Sequence, residues 1–258
     1  ATVEAPCINT SEELCSLHDK KIFLGLGNVK SLETETIQLI LHERRHNGSF
    51  VDLQDLLRRV PLHMEQARIL VRVGAMRFTG RSKPQLLWDL ALMLRREPAG
   101  IPATADLFIT KVEEPQIPYL QHYPLADAYD ELDLLGFPLC DPFFLVDQGG
   151  MTSSTPLILK REMQQYIGKP VSMLGYMIHV KATDTHYGQR MTFGSFIDTA
   201  GDFWDSTQFP NVASRFPFRG RGVYRFNGVI EEEFGHYSLR TQWMEKLSWK
   251  PDPRYGER

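Results

Sequence analysis

The chain has 258 residues, 42% of them hydrophobic and 24% charged, with a formal net charge of −3. That is an ordinary globular composition, sufficient for two or three small domains, and no apolar run approaches the ~20 residues that span a bilayer, so no membrane partner is expected. Three cysteines, Cys7, Cys15 and Cys140, are too few and too scattered for a disulfide framework or a zinc site, which points to a reducing cytoplasm. No metal and no cofactor is expected. The opening "ATVEAPCINTSEEL" has neither a basic end nor an apolar run, so it is no signal peptide, and a first residue other than Met suggests a piece of a longer chain. Charge is unevenly spread: residues 99–156 carry a single basic group against nine acidic ones, while both flanking regions are slightly basic. Any affinity for nucleic acid should therefore be modest and fall with salt.

Residues 1–96 read as helical. "IFLGLGNVK" is a short apolar strand or turn with Gly25 and Gly27. "SLETETIQLILHERRHNG" is a helix with Ser31 as its cap, Ile37, Ile40 and Leu41 on one face, and Asn47–Gly48 as its stop. "FVDLQDLLRRV" places Leu53, Leu56, Leu57 and Val60 at helical spacing, Pro61 suits the first turn of the next helix, and "SKPQLLWDLALMLRRE" is a fourth. His42-Glu43-Arg44-Arg45-His46 matches H-E-x-x-H, in which two histidines can share Zn²⁺. It stops one residue from the helix end and puts two arginines beside the metal position, so it reads as a polar helix face near a C-terminus, whose dipole favours cations. A helix-hairpin-helix suits this region better, with Lys30-Ser31-Leu32-Glu33 as the hairpin whose amides would cradle a duplex phosphate. Gly25, Gly27, Lys30 and Ser31 are its candidate contacts, although Ser31 and Glu33 stand where that motif has glycines.

Residues 97–156 are acidic, proline-rich and aromatic, with little periodicity, and read as an extended connector. Within it, Thr104-Ala105-Asp106-Leu107-Phe108 offers two adjacent apolar anchors that could fill a partner's pocket. Residues 157–247 read as a five-stranded OB-type barrel, with strands "KPVSMLGYMIHVKAT", "MTFGSFID", "DFWDSTQF", "GVYRFNGVIEEE" and "HYSLRTQWMEKL" and a short helix around 210–216. Such barrels bind single strands by stacking bases on aromatics and screening phosphates. Candidate contacts are His186, Tyr187 and Arg190 at the first hairpin, Trp204 on the third strand, Arg215, Arg219 and Arg221 around Gly220, Arg225 on the fourth strand, and His236 with Tyr237. Phe193, Phe196 and Phe226 are assigned to the core, and Glu231–Glu233 would repel a strand at the opposite loop. The expected class is α+β multidomain: a helical helix-hairpin-helix-like domain (1–96), the connector (97–156), the OB barrel (157–247) and a tail (248–258).

The succession "GLGNVK…HERRHNGSFVDLQDLLRRV…LVRVGAMRFTG", "ADLF", "ELDLLGFPLCDPF" and "GRGVYRFNGVIEEEFGHYSLRTQWMEKL" resembles the C-terminal third of the bacterial replicative DNA polymerase III alpha subunit. The resemblance implies duplex contact by the helix-hairpin-helix region, single-stranded template contact by the OB domain, and docking of the peptide between them into the sliding clamp. By it, Leu107 and Phe108 are clamp anchors and Asp106 the acidic position before them, with Thr104 where the Gln-x-x-Leu-Phe pattern has Gln. It also implies other replicase subunits as partners and a polymerase centre upstream of this stretch, so no catalytic residue is expected here. The competing expectation is a replisome scaffold that binds proteins and no nucleic acid.

Overall fold

The computed structural model describes residues 2–95, 123–147, 155–184, 186 and 188–255. It divides into two units, Ala1–Leu139 with Asp252–Arg258, and Cys140–Pro251. In the first unit β1 (Thr2–Glu4), β2 (Ser16–His18) and β3 (Lys21–Phe23) form a small sheet with β3 in the middle. α1 (Thr34–Asn47) stops at Gly48, whose φ of +77° suits a residue without Cβ. α2 (Leu53–Arg59) is capped by Asp52, whose carboxylate accepts the Asp55 N–H at 2.8 Å. α3 (Met64–Arg72), α4 (Lys83–Arg95) and α5 (Pro124–Leu134) complete the set. Ile40, Leu56, Leu70 and Leu90 from these helices share one buried core with Leu26, which lies in a 3-10 turn at Leu26–Asn28. Arg59 joins α2 to the end of α1: its guanidinium lies 4.2 Å over the Phe50 ring and donates to the carbonyls of Glu43 (2.8 Å) and Gly48 (2.9 Å).

Three expectations change. Ser31 does not cap α1, which begins after Glu33, and Pro61 lies ahead of the α3 cap, His63. The stretch expected as an extended connector contains α5, which packs on α3. Its Asp130 is 4% exposed and is held by Arg72 at 2.9 Å and Arg254 at 2.8 Å. A proline-rich, acidic composition hid this helix because its buried contacts are with residues far away in sequence. The tail is likewise divided: Trp249 bridges to Val146 in the second unit, and Arg254 belongs to the first.

In the second unit five strands close into a barrel in the order β4-β5-β6-β8-β7, the order of an OB fold. They are β4 (Pro170–Asp184), β5 (Arg190–Ile197), β6 (Phe203–Gln208), β7 (Val223–Glu233) and β8 (His236–Lys246), with α6 (Pro210–Arg215) between β6 and β7. β6 and β8 run parallel and the other neighbours antiparallel. Inside, Phe196 stacks on Trp204 with centroids 4.9 Å apart, and both meet Phe226 edge-on at 4.7 and 5.1 Å. Two glycines make space for this cluster. A Cβ on Gly175 would lie 2.6 Å from the Phe196 Cβ and 2.7 Å from Trp204, and one on Gly194 would lie 2.6 Å from the Phe196 ring.

Candidate nucleic-acid interface

Successive residues of a strand face opposite sides of the sheet, so the inward placement of Phe196 and Trp204 turns Phe193 and Phe203 outward. Phe193 is 41% exposed and Phe203 63%, and Phe209, just past β6, is 45% exposed. Cross-strand register sets Lys181 of β4 opposite Phe193, and Phe193 opposite Thr207. Arg190, at the start of β5, is exposed and makes no ion pair among the described residues. The face is not uniformly basic: Asp205 accepts the Ser195 hydroxyl at 2.6 Å and lies 3.2 Å from His236 Nε2. The outer side of β4 and β7 is different. Phe143, Val146 and Trp249 pack there against Leu174, Tyr176 and Val223, so the open aromatic side of the barrel is that of β5 and β6.

The expected contacts fall into distinct places. Trp204 is 1% exposed in the barrel core and cannot stack on a base, which corrects that assignment; Phe193, assigned to the core, is outside. Phe193 and Phe196 are three residues apart and must point opposite ways, so the period of two was the available signal. Phe203 was missed for the same reason, since neighbouring aromatics in a strand cannot both be interior; Phe209, just past the strand, carried no such signal. Arg225 is 8% exposed on the covered side, opposite Leu174, and is not a surface contact. His186 is exposed, and Tyr187 lies outside the described residues. Tyr237 is half-buried, with the Lys160 ammonium 5.9 Å over its ring. Arg215, Arg219 and Arg221 are exposed at and after the end of α6, and Gly220 between the last two has φ +74°. The peptide Thr104–Phe108 lies outside the described residues.

The hairpin before α1 has the shape of a phosphate cradle, and two of its amides, those of Lys30 and Glu33, are bonded within the first unit. Ser31 occupies φ +62°, a position glycine fills at lower cost. Gln66, 6% exposed, bridges the hairpin, accepting the Glu33 N–H at 2.9 Å and donating to the Ser31 carbonyl at 3.0 Å. The Lys30 N–H donates to the Leu134 carbonyl of α5 at 2.8 Å. Gly25 is buried, where an added Cβ would lie 2.4 Å from the Glu13 carbonyl oxygen, and the Gly27 N–H donates to that carbonyl at 2.9 Å. Gly25 thus serves close backbone packing, and exposed Gly27 gives its N–H to the same carbonyl. Beside the hairpin a groove of about 770 Å³ is lined by Glu33 and Glu35 as well as Arg58 and His63, and the two carboxylates oppose a phosphate there. In the H-E-x-x-H segment, His46 Nδ1 lies 2.9 Å from the His42 carbonyl oxygen, and Glu43 accepts from Asn47 at 2.8 Å, which with Arg59 holds its carboxyl below the usual range despite desolvation. Among the described residues no three metal-binding side chains cluster, and no helix is long and apolar enough to cross a membrane.

Fold and faces together define a two-module chain, a helical unit with a hairpin before its first long helix and an OB barrel. Residues 1–86 match the family model described as a helix-hairpin-helix motif. The chain is 27% identical over 226 residues to the DNA polymerase III subunit alpha of Staphylococcus epidermidis, covering 82% of this chain and 20% of that protein. It is 30% identical over 128 residues to the error-prone DNA polymerase of Mycobacterium tuberculosis, covering 49% and 11%. The chain is therefore related to the C-terminal region of bacterial DNA polymerase III alpha subunits, and it spans about a fifth of the length of the first of these curated relatives. Among solved structures, replication protein A of U. maydis bound to ssDNA is similar at 14% identity and TM-score 0.26, over 38% of this chain and 77% of that one. The second OB-fold domain of replication protein A from Methanococcus maripaludis is similar at 9% identity and TM-score 0.27, over 35% and 93%. At those scores they add nothing to the strand order, on which the fold assignment stands.

Proposed function

We propose that this chain is a non-catalytic DNA-handling region of a cytoplasmic replicative polymerase, and that its barrel binds single-stranded template across β5 and β6. The observation that carries this is the pair of exposed aromatics, Phe193 and Phe203, on the open side of the barrel with Lys181 directly across from Phe193. A base stacked on an aromatic side chain contributes ~1–3 kcal/mol whatever its identity, so the face suits sequence-independent binding. Asp205 and the acidic hairpin at Glu231–Glu233 keep it weak, in the micromolar range or above, and strongly dependent on salt. Likeness to the alpha subunits supports the sliding clamp as a second partner through Leu107 and Phe108, alongside other replicase subunits. Duplex binding is assigned no role at Lys30 and Ser31, because the Lys30 and Glu33 amides are bonded internally and Glu33 and Glu35 line the adjoining groove.

The test has two arms on the full chain. Phe193→Ala with Phe203→Ala should weaken binding of a labelled oligothymidylate at low salt by at least tenfold, read by fluorescence anisotropy, with the thermal melt unchanged. Phe108→Ala should abolish retention on purified clamp. A wild-type chain that binds no single strand at any salt, yet still binds replicase proteins, would establish the scaffold reading instead.

A further inference from the structure

Resting on that reading of the barrel, we propose that a cleft beside α6 is a phosphodiester subsite for the bound strand, formed by Arg215, Arg219 and Lys246. The cleft, of about 210 Å³, lies between the α6–β7 loop and the end of β8, and its lining includes Phe216, Tyr224 and one carboxylate, Glu245. Several arginines elsewhere are engaged by acids, Arg59 by Asp55, Arg72 by Asp130 and Asp133, and Arg240 by Glu231. The guanidinium groups of Arg215 and Arg219 make no ion pair and no hydrogen bond among the described residues; that of Arg215 lies 5.3 Å over the Phe216 ring.

The cleft is also rigidly built. The Tyr224 hydroxyl receives the Arg219 N–H at 2.8 Å and donates to the Gly220 carbonyl at 2.6 Å, which fixes the loop to the barrel. Lys246 donates to the Arg219 carbonyl at 3.0 Å. Its stem lies against Gly222, where an added Cβ would be 2.4 Å from the lysine Cε. Burial pushes its ammonium below the ordinary lysine pKa, as expected of a cation with no carboxylate to pair it. An ammonium has three donors and each guanidinium a planar fork, so a phosphate with two non-bridging oxygens can be met from three sides. The route to the cleft is set by β6. Its outward residues run from Phe203 through Thr207 to Phe209, about 20 Å at ~3.3 Å per residue, and α6 then delivers Arg215.

Anisotropy across a salt series, on the full chain with labelled oligothymidylate with and without a 5′-phosphate, tests this. Arg215→Gln with Arg219→Gln should lower low-salt affinity about tenfold and flatten the slope of log K against log salt by about 0.7, the value of one lost phosphate contact. Lys246→Met, which keeps the stem, should flatten it by about half as much. Phe193→Ala with Phe203→Ala should lower affinity and leave the slope unchanged. Equal affinity with and without the 5′-phosphate assigns the cleft to the strand backbone; a 5′-phosphate preference that the double arginine variant loses assigns it to a strand end. Unaltered affinity and slope in the double arginine variant, while the wild type binds, overturn the cleft alone. Absence of wild-type binding at every salt overturns the barrel reading and the cleft with it.

Discussion

Gly175 and Gly194 decide what the surface of this barrel can offer. Each vacates volume that Phe196 fills, and Gly175 makes room for Trp204 as well; the inward turn of those two rings sends Phe193 and Phe203 to the open side. Interiors are close-packed, so the smallest addition at these positions is felt. Gly175→Ala should destabilise the barrel by ~1–3 kcal/mol through overpacking, measured by urea denaturation followed at Trp204. Melting at the wild-type midpoint would show that the interior has slack that the 2.6 Å approach to the Phe196 Cβ denies.

Among the elements, the hairpin between Gly27 and α1 shows how a binding device becomes a packing device. Its left-handed position is filled by Ser31, and the Glu33 N–H is taken by the buried Gln66. Ser31→Gly removes the steric cost of a Cβ at φ +62° but adds backbone entropy to the unfolded chain. Stabilisation of a few tenths to about 1 kcal/mol is expected, seen as a raised thermal midpoint, with no gain in duplex affinity by anisotropy. A variant that acquires duplex binding would show that the lost glycine, and not the Gln66 bridge, silences the hairpin. α5 makes a related point. Its Asp130 is the buried anchor of Arg72 and Arg254, a contact that local composition does not announce.

At the scale of the whole chain, its last described residues return to the first unit. Burial opposes ionisation of Asp252, but the Arg254 guanidinium outweighs it and holds the carboxyl below the usual aspartate range. A depressed acid contributes stability above its unfolded pKa and loses it as pH falls through the folded value. The Asp252–Arg254 link within the tail should therefore hold at neutral pH and loosen in acid below pH ~4, the ordinary aspartate range. Hydrogen exchange of the Arg254 and Tyr255 amides reads this directly; after correction for intrinsic rate, protection should drop in acid, and Asp252→Asn should lose it already at neutral pH. Protection that is independent of pH would remove the carboxylate from the account.

The sequence by itself determined the order of modules, the boundaries of the five barrel strands to within a residue or so, the bridging helix α6 and the stop at Gly48. Those are short-range matters of turn chemistry, capping and alternation. It also carried, through adjacent Phe203 and Trp204 and through the spacing of Phe193 from Phe196, a signal that one of each pair faces outward. Only the tertiary structure decided which one, because the choice depends on space left by Gly175 and Gly194 on neighbouring strands. The burial of Arg225 on the covered side, the closure of the hairpin by Gln66 and the helix within the supposed connector were likewise decided by partners distant in sequence, where local pattern has no reach.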